Sequence, residues 1–237
     1  MTHEHSAHHL VVAGFGADRA PHYDAQAAIN LAGAPAVYEL GATALTAQLD
    51  GQDAAAILFV GVGTGAELVP YHRFEVPGWR FTGVEPSEPM LAVARKRLED
   101  EGLRSRTHLH QGELHTLPAS APFDGAQVMG VLHHVEGEEA RMALLREVTR
   151  RLKPGAPLVL GCRVGMDPVL TNLELRRLRA CGVSPEALER RRQMSALMKP
   201  IPSDAALFDM FARAGLVEPR TLFVSLQYKV FLARNAP

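Results

Sequence analysis

The stretch ILFVGVGTG, residues 57–65, decides the fold. Four apolar residues run into glycines at 61, 63 and 65, as in a buried strand that turns into a helix around a nucleotide-like ligand. Glycine at these positions lets the chain turn tightly and lets backbone N–H groups approach a ligand at a helix N-terminus. The spacing is G-x-G-x-G rather than the G-x-G-x-x-G of dinucleotide sites, which argues against a pyrophosphate ligand. One residue is unexpected: Phe59 stands two positions before the first glycine, where related loops carry a carboxylate.

Outward from this loop the pattern alternates. Strand candidates fall near 56–60, 80–84, 106–110, 126–131 and 157–162, with helical segments between them. Such alternation predicts a parallel sheet covered on both faces. In SEPMLAVARKRLEDEG, Ser87 is placed to cap a helix whose apolar positions are 90, 91, 94 and 98, and Gly102 stops it. EEARMALLREVTRRLKPG repeats that logic up to Pro154 and Gly155. The last part, from Ser203, reads as a capped helix, Gly215, and two strands too close together for a parallel crossover. They are expected to form an antiparallel hairpin at the sheet edge.

The flanking segments complete the expected organisation. Residues 1–9 form a flexible tail with histidines at 3, 5, 8 and 9, and 10–53 form an Ala-rich helical cap broken near Gly33 and Pro35. Residues 54–237 make the main domain, interrupted by a charged helical insertion at 168–200. The expected fold class is α/β: a Rossmann-like, seven-stranded, mostly parallel sheet with a C-terminal antiparallel hairpin and a helical cap.

Composition narrows the function classes. With 25 Lys and Arg against 26 Asp and Glu, nothing electrostatic favours a nucleic-acid or membrane-surface partner, and a small-molecule substrate fits better. No apolar run reaches the roughly 20 residues that cross a bilayer, and the first ten residues lack a signal-peptide core, so a cytoplasmic location is expected. The two cysteines, Cys162 and Cys181, lack metal-site or redox spacing. A homodimer is left open, and no metal site is expected.

Glu85 closes the second strand, 24 residues after Gly61, where a carboxylate can accept hydrogen bonds from two ribose hydroxyls. Glu113 follows the third strand, and the fourth runs out into VMGVLHHV. This ordered train, with LKPGAPLVL and the terminal strands, resembles the class I S-adenosylmethionine-dependent methyltransferases over residues 55–235. The resemblance implies S-adenosylmethionine as cofactor. It places Gly61, Gly63 and Gly65 at the methionine part, Glu85 at the ribose and Glu113 at the adenine amino group, with Pro86, Met90 and Leu114 as further cofactor-binding candidates. Gly130 is a further cofactor-binding candidate, and Tyr23 and Tyr38, in helices expected to fold over the cofactor, either close the pocket or are core aromatics.

That family carries an Asp or Glu where this chain has Phe59, and its acid supports the cofactor's ammonium end. Here the support is expected from backbone carbonyls or from the cap. The alternative is a decayed site in a protein that keeps the fold without turnover. His134 and His133 follow the fourth strand at the expected ligand-binding end, and either can accept a proton from a hydroxyl or amine nucleophile, with His134 preferred. The segment LERRRQMSALMKP also resembles the carboxy-S-adenosylmethionine synthases, which implies a substrate-binding role for Arg192.

Overall fold

In the computed structural model, residues 15–197 and 200–237 are described, and the side chains of 194–197 are not considered further. The histidines of the N-terminal tail lie outside the described residues. The parallel part of the sheet comprises β1 (Ala56–Val60), β2 (Arg80–Glu85), β3 (Thr107–Gln111), β4 (Gly125–Met129) and β5 (Pro157–Arg163). Two long antiparallel strands follow, β6 (Leu216–Ser225) and β7 (Tyr228–Asn235). The order across the sheet is β3-β2-β1-β4-β5-β7-β6. The terminal hairpin therefore leaves β6 at the sheet edge, while β7 is interior because it pairs with both β5 and β6.

β1 shows how the sequence drives this. Ile57 and Phe59 point to one face, Leu58 and Val60 to the other, and all four side chains are buried in two separate apolar clusters. A strand buried on both faces needs an unbroken apolar run, which residues 57–60 supply.

Seven α-helices are described: α1 (Tyr23–Asn30), α2 (Ala34–Gln48), α3 (Glu88–Asp100), α4 (Glu138–Arg150), α5 (Pro168–Ala180), α6 (Pro185–Leu197) and α7 (Asp204–Arg213). Ser87 caps α3 by accepting from the Met90 N–H at 3.3 Å, and Met90, Leu91, Ala94 and Leu98 are its buried face. Ser203 and Asp167 cap α7 and α5 in the same way. The break near Gly33 and Pro35 separates α1 from α2: Gly33 is the N-cap of α2, and Pro35 stands in its first turn, where a proline forfeits no helical hydrogen bond. After Gly65 the chain forms a 3-10 helix, Ala66–Phe74, containing Pro70. Proline lacks the N–H that a regular α-helix would use there.

The N-terminal helix α1 is fastened to the glycine loop. Thr64 Oγ1 donates to Asp24 Oδ1 of α1 at 2.6 Å, Arg97 of α3 donates to the Thr64 carbonyl at 2.7 Å, and Arg97 also pairs with Asp24. No helix among the described residues is long and apolar enough to cross a membrane.

Candidate functional site

The C-terminal ends of β1, β2 and β3 bring the sequence candidates together. Gly61, Gly63 and Gly65 all have positive φ, at 72°, 53° and 73°. A Cβ on Gly61 would stand 2.3 Å from Val131 Cγ2, so the close approach requires glycine as well as the conformation. The Glu85 carboxylate accepts from Gly63 N–H at 3.1 Å through Oε2 and from Ser87 N–H at 2.9 Å through Oε1. Each oxygen retains lone-pair capacity for a ligand hydroxyl. Burial raises the Glu85 pKa, and the two backbone donors act against that rise. Pro86 and Met90 follow on the same turn, with Met90 Cε 3.5 Å from where a Gly63 Cβ would be.

Gln111 pairs in register with Glu85, which sets Glu113 beside it on the neighbouring strand end. Glu113 is partly exposed and lies 3.3 Å from His115 Nδ1, while Leu114 is buried.

The other candidates meet in a cavity of about 550 Å³ beyond the ends of β4 and β5. Tyr23 and Tyr38 of the cap line it, with Met129, Gly130, His133 and His134. Burial pushes both tyrosine pKa values up, keeping the phenols neutral. Burial likewise holds both imidazoles below the usual histidine pKa, so they are neutral bases at pH 7. The two histidines differ in position. His133 Nδ1 accepts from the Arg163 N–H at 3.4 Å, whereas His134 lies edge-on to Phe15, with ring centres 5.9 Å apart.

Arg192 also lines the cavity, its exposed head 4.0 Å from Glu189. Several other residues there carried no signal in the sequence. Buried Glu174 accepts from both guanidinium nitrogens of Arg163, at 3.0 and 2.6 Å, and from Arg191 at 2.8 Å. Arg191 reaches Asn30 of α1, and Arg177 donates to the carbonyls of Ile29 and Ala28.

Phe59 is fully buried, edge-on to Tyr71 and to Phe81 with ring centres 5.8 Å away in each case. With Tyr71 and Phe81, and with Trp79 beside Tyr71, it forms an aromatic cluster. Its partner across β1 and β4 is Gln127, whose amide donates to Glu67 Oε2 at 2.8 Å. Glu67 is 4% exposed, and burial raises its pKa to about 8. An acid two residues past the last glycine, in the otherwise apolar run AELVPY, was the available signal for it.

The sheet order, the glycine turn after β1 and the crevice at the strand ends define a Rossmann-like nucleotide-binding class. Residues 57–155 match the family described as methyltransferase domain. This match supports a methyltransferase domain of the class I, S-adenosylmethionine-dependent kind, with S-adenosylmethionine as the methyl donor. The chain is 26% identical over 145 residues to the release factor glutamine methyltransferase of Gloeobacter violaceus, covering 52% of this chain and 50% of that one. Among solved structures it resembles an O-methyltransferase family 2 protein from Planctomyces limnophilus in complex with apigenin. That match has 22% identity, covers 100% of this chain and 62% of the other, and has a TM-score of 0.64. Mitomycin 7-O-methyltransferase matches with 22% identity over 86% of this chain and 55% of that one, TM-score 0.61. The chain spans 24% to 50% of the length of the curated relatives it matches.

Proposed function

We propose that this chain transfers a methyl group from S-adenosylmethionine to a small-molecule acceptor. The cavity carries this reading: it is bounded by the N-terminal helices, it lies beyond the ends of β4 and β5, and it is lined by a neutral histidine. S-adenosylmethionine, when bound, supplies a methyl group on a positively charged sulfonium. The donor's S–C bond breaks as the acceptor's new bond to carbon forms, and the leaving thioether is neutral.

The chain's own residues have three tasks in this reading. Gly61, Gly63, Gly65 and Glu85, with Pro86 and Met90, hold the ribose and methionine parts, and Glu113 with Leu114 holds the adenine. The fit is supported by the buried Glu85 carboxylate, pre-aligned by two backbone donors at a turn where Gly63 takes a left-handed conformation. Tyr23 and Tyr38 exclude water from above. His134 takes the proton from the acceptor's hydroxyl or amine, while His133 is held to the β5 backbone and orients its neighbour. Alignment of donor and acceptor supplies most of the rate, which is why no larger catalytic array is needed.

The helices before β1 act as a cap and α5 with α6 as the insertion over the strand ends. A cytoplasmic setting and a small-molecule acceptor, with no nucleic-acid or membrane partner, accord with the near-zero net charge.

The test is calorimetry with S-adenosylmethionine and S-adenosylhomocysteine, with mass spectrometry of any ligand carried through purification. Micromolar binding of both compounds supports the reading. No binding would mark a scaffold that keeps only the fold, and a carboxylated cofactor recovered with the protein would reassign Arg192 to the synthase reaction.

A further inference from the structure

We infer that the acceptor carries a carboxylate, held by the arginine wall of the cavity; this rests on the methyltransferase reading. Five arginines line the cavity, from the cap, β5, α5 and α6, against one carboxylate, Glu174. In a chain whose charges nearly cancel, that local excess is a feature of the site rather than of composition. Glu174 is shared between Arg163 and Arg191, and Arg177 is held by neutral carbonyls. Arg192 has only a partly solvated partner 4.0 Å away. Guanidinium groups recognise carboxylates through paired, planar N–H donors, and such pairs strengthen where water is excluded. Arg19 lies over Phe15, whose carbonyl accepts from Ser87 next to Glu85, so a cationic methyl donor held at Glu85 leaves the arginines of β5, α5 and α6 as the place for an anion.

Matched pairs of small aromatic carboxylic acids and their primary amides, 4-hydroxybenzoate with 4-hydroxybenzamide among them, test this. Binding is read by ligand-observed NMR on the full chain saturated with S-adenosylhomocysteine. Acids should bind at least tenfold more tightly than their amides, and Arg192→Gln should cut that preference severalfold while S-adenosylhomocysteine affinity stays unchanged. Amides binding as well as acids, or no member of any pair binding, would overturn the inference. Failure of S-adenosylhomocysteine itself to bind would instead overturn the methyltransferase reading, and the inference with it.

A second inference stands on a different observation. The geometry points to Glu67 as the acid that holds the cofactor's ammonium end, in place of the carboxylate that Phe59 excludes from β1. Its Oε1 is buried without a hydrogen-bond partner, as are Gln127 Oε1 and Tyr71 Oη beside it. Buried polar atoms left unpaired are unfavourable, and three in one cluster mark a place built for a further partner. Gln127 and the cavity residue Met129 both border Gly41 of α2: a Cβ there would stand 2.7 Å from Gln127 Oε1 and 3.1 Å from Met129 Cε. The charged and titratable groups that interact with Glu67 are Glu85 of β2, Tyr23 of α1, Tyr38 of α2, Tyr71 of its own helix and Tyr228 of β7. None of them is a cation. An arriving ammonium would lower the raised pKa of Glu67 and expel its proton at pH 7.

Two readings test Glu67. Calorimetry of S-adenosylhomocysteine binding to the unaltered chain, in buffers of different ionisation enthalpy at pH 7, should show net proton release. The isosteric variant Glu67→Gln should abolish that release and weaken S-adenosylhomocysteine at least tenfold, while 5′-methylthioadenosine, which lacks the amino-acid part, binds within twofold of the unaltered chain. No proton release, or equal effects on both ligands, would overturn the assignment. If neither ligand bound the unaltered chain, the cofactor reading itself would fail.

Discussion

The two sides of the crevice are built differently. On the β1–β2–β3 side the proposed ligand groups are backbone N–H donors and single acids at strand ends, each within a few residues of a turn that the sequence announces. On the β4–β5 side they are long side chains from four separate elements, joined through Glu174 across more than a hundred residues of sequence. A surface made by backbone geometry constrains residue type tightly. A surface made by flexible side chains can be reassembled by a few substitutions, so under the proposed function the first side would hold the methyl donor and the second would tell one acceptor from another.

The comparison is sharpest at Phe59, where the backbone-built side lacks its usual acid. Phe59→Asp should destabilise the chain by about 4 kcal/mol or more, since it removes a buried ring and buries a charge in an aromatic cluster. Denaturant melts measure this. A stable variant that binds S-adenosylmethionine more tightly would show a decayed site and break the packing account. Gly61→Val comes next, at about 3 kcal/mol, because a branched side chain at φ 72° would also meet Val131.

Glu85→Ala should weaken S-adenosylmethionine by about 1.5 to 3 kcal/mol, the range for hydrogen bonds to a charged group. Unchanged affinity in a folded variant would take Glu85 out of the site. Glu67 makes a pH prediction. Its pKa is near 8 in the fold and near 4.5 in the unfolded chain, so between these values the folded state holds a proton that the unfolded state has lost. Stability of the ligand-free chain should therefore fall as pH rises from about 5 to 8, by at most about 1.4 kcal/mol per unit. Glu67→Gln should flatten that slope, and an unchanged slope in urea melts would show that other groups set it.

The smallest effect belongs to the side-chain-built wall. Arg192→Gln should shift stability by less than about 0.5 kcal/mol in the same melts, because the head is exposed and weakly paired. A larger loss would mean that the arginines brace the fold rather than await a ligand.

What could be read in the sequence follows the same division. The five parallel strands, the Ser87 cap, the positive-φ glycines and Glu85 were legible because each rests on local rules of periodicity, capping and backbone freedom. The Arg163–Glu174–Arg191 group was not, since only tertiary packing brings those residues together. Glu67 lies between these cases. It is two residues past Gly65, but its burial depends on Gln127 from β4 and on the close passage of α2 at Gly41. Phe59 invited a search for lost chemistry on its own strand, whereas the neighbouring acid is on the next element.

β7 also bears on how the chain is made. Residues 228–235 fill the gap between β5 and β6, so β5 is completed long before the strand that will cover its free side exists. During synthesis the parallel half presents an open row of N–H and C=O groups while α5, α6, α7 and β6 emerge. An uncovered edge of that kind invites pairing with another chain. The interval between β5 and β7 is the stretch in which a nascent copy is most exposed to aggregation, and where a ribosome-associated chaperone would have most to protect.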